Sequence, residues 1–165
     1  MAKTIELRAA TRRLERWCGL GVCSESAIEA VILIDLFHDA LGFSKVSTSN
    51  QSALSNGCIP DIMLLPKAGM KIVVEVKKPN ELEGKADKAS IVRHLKQAAD
   101  YVCCLKQEFG ILTDGTNWIY FRVESGEKHY EIYRLLSFNI KSHATLARDA
   151  FLCSTKTNLP TFSLS

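Results

Sequence analysis

Several features that define specialised classes of protein are missing from this sequence. Its six cysteines include no C-x-x-C pair, the spacing typical of zinc sites and redox motifs. No apolar stretch reaches the length that crosses a membrane, and the N-terminal MAKTIELR carries charges where a secretory signal has an apolar run. Internal repeats, low-complexity tracts and long linkers are also missing. We therefore expect reduced thiols and a cytoplasmic protein with no membrane partner.

The length and composition are those of one ordinary globular domain. With 165 residues, the chain can bury a sizeable core without disulfide or metal staples. The formal net charge of +3 neither requires nor excludes a nucleic-acid partner, because local patches matter more than the total. We expect a single domain over residues 1–165, with an N-terminal helix in residues 1–20, a core over about residues 24–140 and a frayed tail at residues 154–165.

Hydrophobic periodicity predicts helices and strands along most of the chain. The first predicted helix covers residues 3–18, with an inner face formed by Leu7, Ala10, Leu14 and Trp17. Further helices are predicted over about residues 24–41, 87–108 and 142–153. Strands are predicted at residues 45–48, as a pair within residues 59–79, and at residues 110–115, 117–123 and 129–140.

The pair of strands within residues 59–79, IPDIMLLPKAGMKIVVEVKKP, contains charges in an apolar setting. Asp61 lies at the start of the first predicted strand, and Glu75 and Lys77 lie at the end of the second. Because burying unpaired charge is strongly unfavourable, these groups need a compensating partner. The usual partner of two adjacent carboxylates is a divalent metal ion, and hard oxygen ligands suit Mg²⁺ or Mn²⁺. Side-chain alternation puts Glu75 and Lys77 on one face and Val76 on the other, in apolar packing.

An acid on the second predicted helix has two explanations. Glu29 lies beside Ile32 and other apolar residues of a helix that is apolar nearly all the way round. In one explanation, Glu29 and Ser26 form a capping box at the start of the helix. In the other, Glu29 is a third carboxylate that faces the metal. Glu25, one turn earlier, competes for either role.

The third predicted helix carries a polar row beside its core face. Arg93, Gln97 and Tyr101 follow one another at intervals of four residues, so they project from one side of the helix. Such a row is either a packed helix boundary or a set of groups that face a ligand.

Four motifs occur in a characteristic order and at characteristic spacing. They are Pro60-Asp61, then Glu75-Val76-Lys77-Lys78-Pro79, then Gln97-x-x-x-Tyr101, and finally Gly110-Ile-Leu-Thr-Asp-Gly115-x-x-Trp118. Over about residues 24–124 the chain resembles the PD-(D/E)xK nuclease superfamily. It is similar to the N-terminal nuclease domain of type I restriction enzyme motor subunits and to the nuclease part of type IIG enzymes.

The resemblance implies a fold and a set of site residues. The expected fold is α/β and restriction-endonuclease-like, a mixed central sheet flanked by helices on both sides. The expected metal ligands for Mg²⁺ or Mn²⁺ are Asp61, Glu75, the Val76 carbonyl and Glu29. Lys77 is expected to orient or deprotonate the attacking water and to stabilise developing charge. Gln97 and Tyr101 are expected to position a DNA phosphate or a metal-bound water. Further phosphate contacts are expected from Lys78 and Arg93, with Lys85 and Lys96 as additional candidates.

The implied function is that of a metal-dependent DNA nuclease, which hydrolyses phosphodiester bonds in restriction, repair or mobile-element control. The alternative is a catalytically silent nuclease fold that serves as a DNA-binding or regulatory subunit. The sequence contains neither the G-x-x-x-x-G-K-[ST] loop of a helicase nor a methyltransferase. We therefore expect a nuclease core that acts alone or with separate motor or specificity subunits, and a homodimer if both DNA strands are cut.

Overall fold

The computed structural model describes residues 2–19, 23–43, 48–49, 59–67, 70–83, 88–126, 129–143, 145, 147 and 149–151. Its helices are α1 (Ala2–Gly19), α2 (Glu25–Val31), a π-helix (Ile32–Ala40) and α3 (Lys88–Cys104). Its strands are β1 (Thr48–Ser49), β2 (Ile62–Lys67), β3 (Met70–Val76), β4 (Phe109–Thr113), β5 (Asn117–Ser125) and β6 (Tyr130–Asn139). Residues 145, 147 and 149–151 are also helical, within the predicted final helix.

All six strands form one mixed sheet in the order β1-β2-β3-β4-β5-β6. Strands β3 and β4 are parallel, and α3 connects them. Every other neighbouring pair is antiparallel. The parallel pair needs a long crossover, whereas an antiparallel pair such as β4 and β5 can be joined by a tight turn.

Helices cover both faces of the sheet because apolar side chains alternate along its central strands. Val74 and Val76 of β3 are buried in one cluster with residues of α1, α2 and the π-helix. Val73 points the other way and is buried with Leu95 and Ala98 of α3. The predicted α/β class, a mixed sheet flanked by helices, is therefore confirmed.

The inner face of α1 differs from the prediction at one position. Leu7, Ala10, Leu14 and Cys18 are buried against the body, whereas Trp17 is 43% exposed. Trp17 and Cys18 follow Leu14 by three and four residues, both helical intervals, and the helix is oriented so that Cys18 rather than Trp17 faces the body. The prediction that Trp17 completes this face is wrong.

The second predicted helix consists of two segments with different hydrogen bonding. Helix α2 is capped by Ser24, whose Oγ accepts a hydrogen bond from the Ala27 amide at 3.2 Å. Because Ser26 lies inside this helix, the capping box between Ser26 and Glu29 is wrong. The following π-helix ends with the Leu41 amide donating to the Leu36 carbonyl, five residues back, at 2.9 Å. Nine residues are too few for hydrophobic spacing to distinguish this wider turn from an α-helix.

Helix α3 ends about four residues before the predicted end. Lys106 adopts a left-handed conformation with φ of 53°. The Gln107 amide donates to the Val102 carbonyl at 3.1 Å, and the Lys106 amide donates to the Cys103 carbonyl at 2.9 Å. This is a Schellman ending, but the usual glycine is replaced by lysine, so the sequence does not mark it.

Some expectations fall outside the described residues. They include most of the predicted strand at residues 45–48, of which only Thr48 is described, and the tail at residues 154–165. In the part of the chain that the structure describes, no helix combines the length and the apolar character needed to span a membrane.

Candidate active site

Asp61 and Glu75 are brought together by the register of the β2–β3 hairpin. Ile62 pairs with Val74, so the next positions outward are Asp61 and Glu75. Asp61 Oδ2 also accepts a hydrogen bond of 2.7 Å from the Val76 amide. The carboxylate that precedes β2 is thereby fixed against the end of β3.

Glu75 and Lys77 form a buried ion pair. Only 2% of Glu75 and 7% of Lys77 is exposed. Lys77 Nζ donates to Glu75 Oε1 at 2.7 Å, as expected for side chains on the same face of a strand. The second oxygen, Glu75 Oε2, is buried and has no hydrogen-bond partner. Asp61 and Glu75 can share a hydrogen bond when one of the two carboxyl groups is protonated, so this oxygen lacks a partner when both are ionised.

The carboxyl groups of this cluster resist ionisation. Burial raises the pKa of Glu75 to about 7, and the charge of Asp61 adds to this effect against the opposing influence of Lys77. Burial also raises the pKa of Asp61, although the Val76 amide stabilises its ionised form. Lys77 alone therefore does not offset the cost of ionising both carboxyl groups.

Lys77 remains a cation in this setting. Burial by itself lowers the pKa of Lys77. The hydrogen bond to Glu75 and the charges of the surrounding carboxylates outweigh burial, so the pKa of Lys77 is raised from its ordinary 10.5. An ammonium group is thus available at the end of β3.

Helix α2 brings both of its acids towards this cluster. Glu25 interacts electrostatically with Lys77, Asp61 and Glu75. Glu29 interacts with Asp61 and with Glu25. Burial is the main cause that raises the pKa of each of these two side chains. Glu25 therefore interacts electrostatically with three residues of the hairpin, whereas Glu29 interacts with only one of them, Asp61.

The turn between β4 and β5 supports the end of β3. The Lys77 amide donates to the Thr113 carbonyl at 2.7 Å. Asp114 is fully buried, and its Oδ2 accepts from the Leu82 amide at 3.0 Å while its Oδ1 accepts from the Asn117 amide at 2.7 Å. The turn thus fixes the segment that follows Lys77, a role that the sequence does not reveal.

His94 and Glu81 are two site residues that the sequence analysis did not identify. His94 Nε2 lies 3.6 Å from Glu81 Oε2. Burial lowers the pKa of His94, and the charge of Lys77 lowers it further against the opposing effect of Glu81. His94 precedes Gln97 by three residues on α3, which is the available sequence clue, but its approach to Glu81 and Lys77 depends on tertiary structure.

The remaining predicted residues lie around the cluster or beside it. Gln97 Nε2 donates to the Tyr101 hydroxyl at 3.1 Å, and Tyr101 packs against the α3 core. Among the described residues, no hydrogen bond links this pair to Asp61, Glu75 or Lys77. Lys78 is exposed and interacts with Glu25, and Arg93 is exposed and donates to Ser90 Oγ at 3.3 Å.

The donor set is compatible with a hard divalent cation. Across the described ranges, no three His, Cys, Asp or Glu side chains converge as a ready metal-binding group. Mg²⁺, however, commonly binds through one or two carboxylates and keeps several waters. Asp61 and Glu75 supply two carboxylates, and the partnerless Glu75 Oε2 supplies an acceptor that a cation would satisfy.

Comparisons with protein-family models, with curated proteins and with solved structures each returned no match for this chain.

Proposed function

We propose that this protein is a metal-dependent DNA nuclease of the PD-(D/E)xK type with a restriction-endonuclease-like fold. The observation that carries the proposal is the pairing of half-buried Asp61 with buried Glu75, in which Glu75 Oε2 has no partner and Lys77 is adjacent. Two carboxylates and a lysine at the end of a β-hairpin suit phosphodiester hydrolysis. Such a cluster is costly to bury, so its presence in an otherwise apolar hairpin supports a functional role.

When bound, Mg²⁺ or Mn²⁺ would supply positive charge that polarises the scissile phosphate and promotes ionisation of the attacking water. Asp61 and Glu75 are the residues that would hold the ion. The Val76 amide orients Asp61, and Lys77 orients Glu75. Both carboxylates are thus oriented by contacts within the protein.

Lys77 would act as a cation. Because its pKa is raised, its ammonium group is better suited to stabilise negative charge on the phosphate than to remove a proton from water. One of its N–H groups is used by Glu75, which leaves others for a phosphate oxygen.

Glu25 would be the helical acid of the site, with Glu29 as a more distant contributor. The wider coupling of Glu25 to Lys77, Asp61 and Glu75 supports this assignment. Lys78 and Arg93 would contact DNA phosphates, since both are exposed beside the site. Gln97 and Tyr101 would act as a hydrogen-bonded unit towards the DNA backbone.

The alternative is a silent nuclease fold that binds DNA without cutting it. One observation favours it: Glu75 and Lys77 already satisfy one another through the 2.7 Å ion pair, which a structural role would also explain. The two functions differ in a single property, cleavage, so an activity measurement separates them.

The test is incubation of the purified protein with supercoiled and linear DNA in Mg²⁺ or Mn²⁺. Parent protein is compared with Asp61→Asn and with a control, Asp35→Asn, which alters a carboxylate on the π-helix that pairs with Arg13. We expect parent and Asp35→Asn to cut DNA and Asp61→Asn to lose cleavage. Equal cleavage by Asp61→Asn, or no cleavage by the parent with either metal, contradicts the assignment.

A further inference from the structure

Helix α1 packs against the body through one face, so its opposite face points to the outside of the protein. Leu7, Leu14 and Cys18 are buried on the inner side of the helix. Arg8, Arg12 and Arg16 are exposed, and each follows the previous one by four residues. Side chains four residues apart lie above one another along a helix. The three arginines therefore form a row on the outer surface, which we call the arginine row.

The charges of the arginine row are not neutralised by neighbours. Within the described part of the chain, Arg8, Arg12 and Arg16 form no ion pair or hydrogen bond through their side chains. Arg13, on the same helix, differs because its Nε lies 3.2 Å from Asp35 Oδ2. The acids of α1, Glu6 and Glu15, form no ion pair with the row.

Helix α1 also accounts for the net positive charge of the chain. Its sequence contains five lysines and arginines but only two glutamates. The formal net charge of the whole protein is +3, which equals the excess on this helix. The remainder of the chain is balanced, so the net positive charge is concentrated on one surface element.

The C-terminal end of α1 contacts the turn between β4 and β5, at the same end of the sheet as the candidate active site. Cys18 Sγ lies 3.7 Å from the Asp114 carbonyl oxygen. It also packs so closely on Gly115 that a Cβ there would approach it to 2.7 Å. The same turn accepts the Lys77 amide through Thr113. The last turn of α1 is therefore held at the turn that also binds the Lys77 amide, and the arginine row lies on the opposite, outward side of that helix.

The spacing of the row suits a phosphate backbone. An advance of four residues corresponds to about 6 Å along a helix, so the row spans about 12 Å. Each DNA strand carries a phosphate every 3.4 Å or so of duplex axis, so three arginines over this distance can face different phosphates. Arginine is also well matched to phosphate through its planar set of donors.

We propose that the arginine row is a DNA-binding surface that contacts the phosphate backbone of duplex DNA. This inference rests on the proposed function for the identity of the partner. Its contacts are sequence-independent, because arginines on phosphates fix the position of a duplex without reading its bases.

The test measures fluorescence anisotropy of a short labelled DNA duplex with the full chain in EDTA, over a series of KCl concentrations. Arg12→Gln removes the central charge of the row. Two matched controls each remove one exposed charge. Arg13→Gln removes an arginine that Asp35 already pairs with. Lys106→Gln removes a lysine that lies three residues before β4 begins, outside α1. Circular dichroism of each variant verifies that the helices are retained.

We expect Arg12→Gln to lower the magnitude of the slope of log affinity against log salt by about 0.9, the value for one phosphate contact. The triple variant Arg8→Gln/Arg12→Gln/Arg16→Gln should lower it by roughly 2 to 3, and both controls should retain the parent slope. An unchanged slope in the triple variant, an equal change in all three single variants or no DNA binding by the parent overturns the inference.

Failure of this inference is distinguishable from failure of the proposed function. Binding in EDTA requires no cleavage. A chain that binds DNA through the arginine row but cuts none supports the binding surface and contradicts the nuclease. A chain that cuts DNA with a salt slope independent of the row supports the nuclease and contradicts the binding surface.

Discussion

Asp61 and Glu75 face each other across the β2–β3 hairpin, and the amide of Val76 donates a 2.7 Å hydrogen bond to Asp61 Oδ2. The two carboxylates are therefore positioned by the same backbone pairing that forms the sheet. Since Glu75 also holds Lys77, a hairpin of local sequence assembles the whole charged cluster.

The metal-free protein should lose stability as the pH rises from about 5 to about 8. The pKa of Glu75 is about 7 in the folded protein against an ordinary 4.5, so in this interval the folded state holds a proton that the unfolded state has released. The stabilisation is complete below the unfolded pKa and disappears as the pH passes the folded one. A difference of that size corresponds to about 3 kcal/mol, and the raised pKa values of Asp61 and Glu25 act with the same sign.

Urea unfolding in EDTA across this pH range measures the effect. Glu75→Gln should reduce the slope of stability against pH. The control Glu6→Gln, which changes an exposed acid on α1, should leave that slope as in the parent. A parent whose stability rises over the same interval contradicts the assignment of a buried, proton-binding Glu75.

His94 should titrate below its ordinary pKa of 6.5, and Lys77→Met should raise its pKa. Burial is the main cause of the lowered pKa of His94, and removing the Lys77 charge eliminates one of the remaining causes. Proton NMR of the imidazole C–H resonances measures both values. Lys96→Met is the control, because it removes an exposed lysine from the same helix that does not affect His94. Equal titration in all three proteins would show that His94 and Lys77 are not neighbours.

Asp114→Ala should destabilise the protein by about 3 kcal/mol or more. The substitution leaves the amides of Leu82, Thr116 and Asn117 without their acceptor. Each buried donor left unsatisfied costs about 1 to 3 kcal/mol. Asp39→Ala, an exposed acid on the π-helix, should change stability by less than about 0.5 kcal/mol. Similar unfolding free energies for the two variants would contradict the role given to the turn.

Leu14→Ala should destabilise the protein by about 2 to 5 kcal/mol, whereas Trp17→Ala should cost far less. Leu14 is fully buried, but Trp17 is 43% exposed. Chemical denaturation of both variants provides the comparison. A larger loss for Trp17→Ala would favour the helix orientation that the sequence predicts over the one in the structure.

The sequence predicts those parts of the fold that depend on local patterns. The β2–β3 hairpin, α3 and the β4–β5 turn follow from alternation, helical spacing and an Asp-Gly turn, and they lie where they are predicted to within a few residues. The position of Asp61 opposite Glu75 also follows from a short hairpin. These features require only interactions between residues that are near each other in sequence.

Features set by tertiary contacts could not be predicted in this way. His94 approaches Glu81 and Lys77 because α3 packs on β3, and its helical spacing from Gln97 does not by itself predict those two contacts. Helical spacing from Leu14 predicts that Trp17 faces inward, yet Cys18 occupies the position that faces the body. The early end of α3 at Lys106 depends on a left-handed residue that is not glycine.

The most direct test of the nuclease proposal is the single-turnover rate at which Lys77→Met cleaves DNA in Mn²⁺, measured together with Mn²⁺ binding by calorimetry. The account predicts that Mn²⁺ still binds, because Asp61 and Glu75 remain, while cleavage slows by roughly a hundredfold to a thousandfold. Cleavage by Lys77→Met at the rate of the parent would contradict the account.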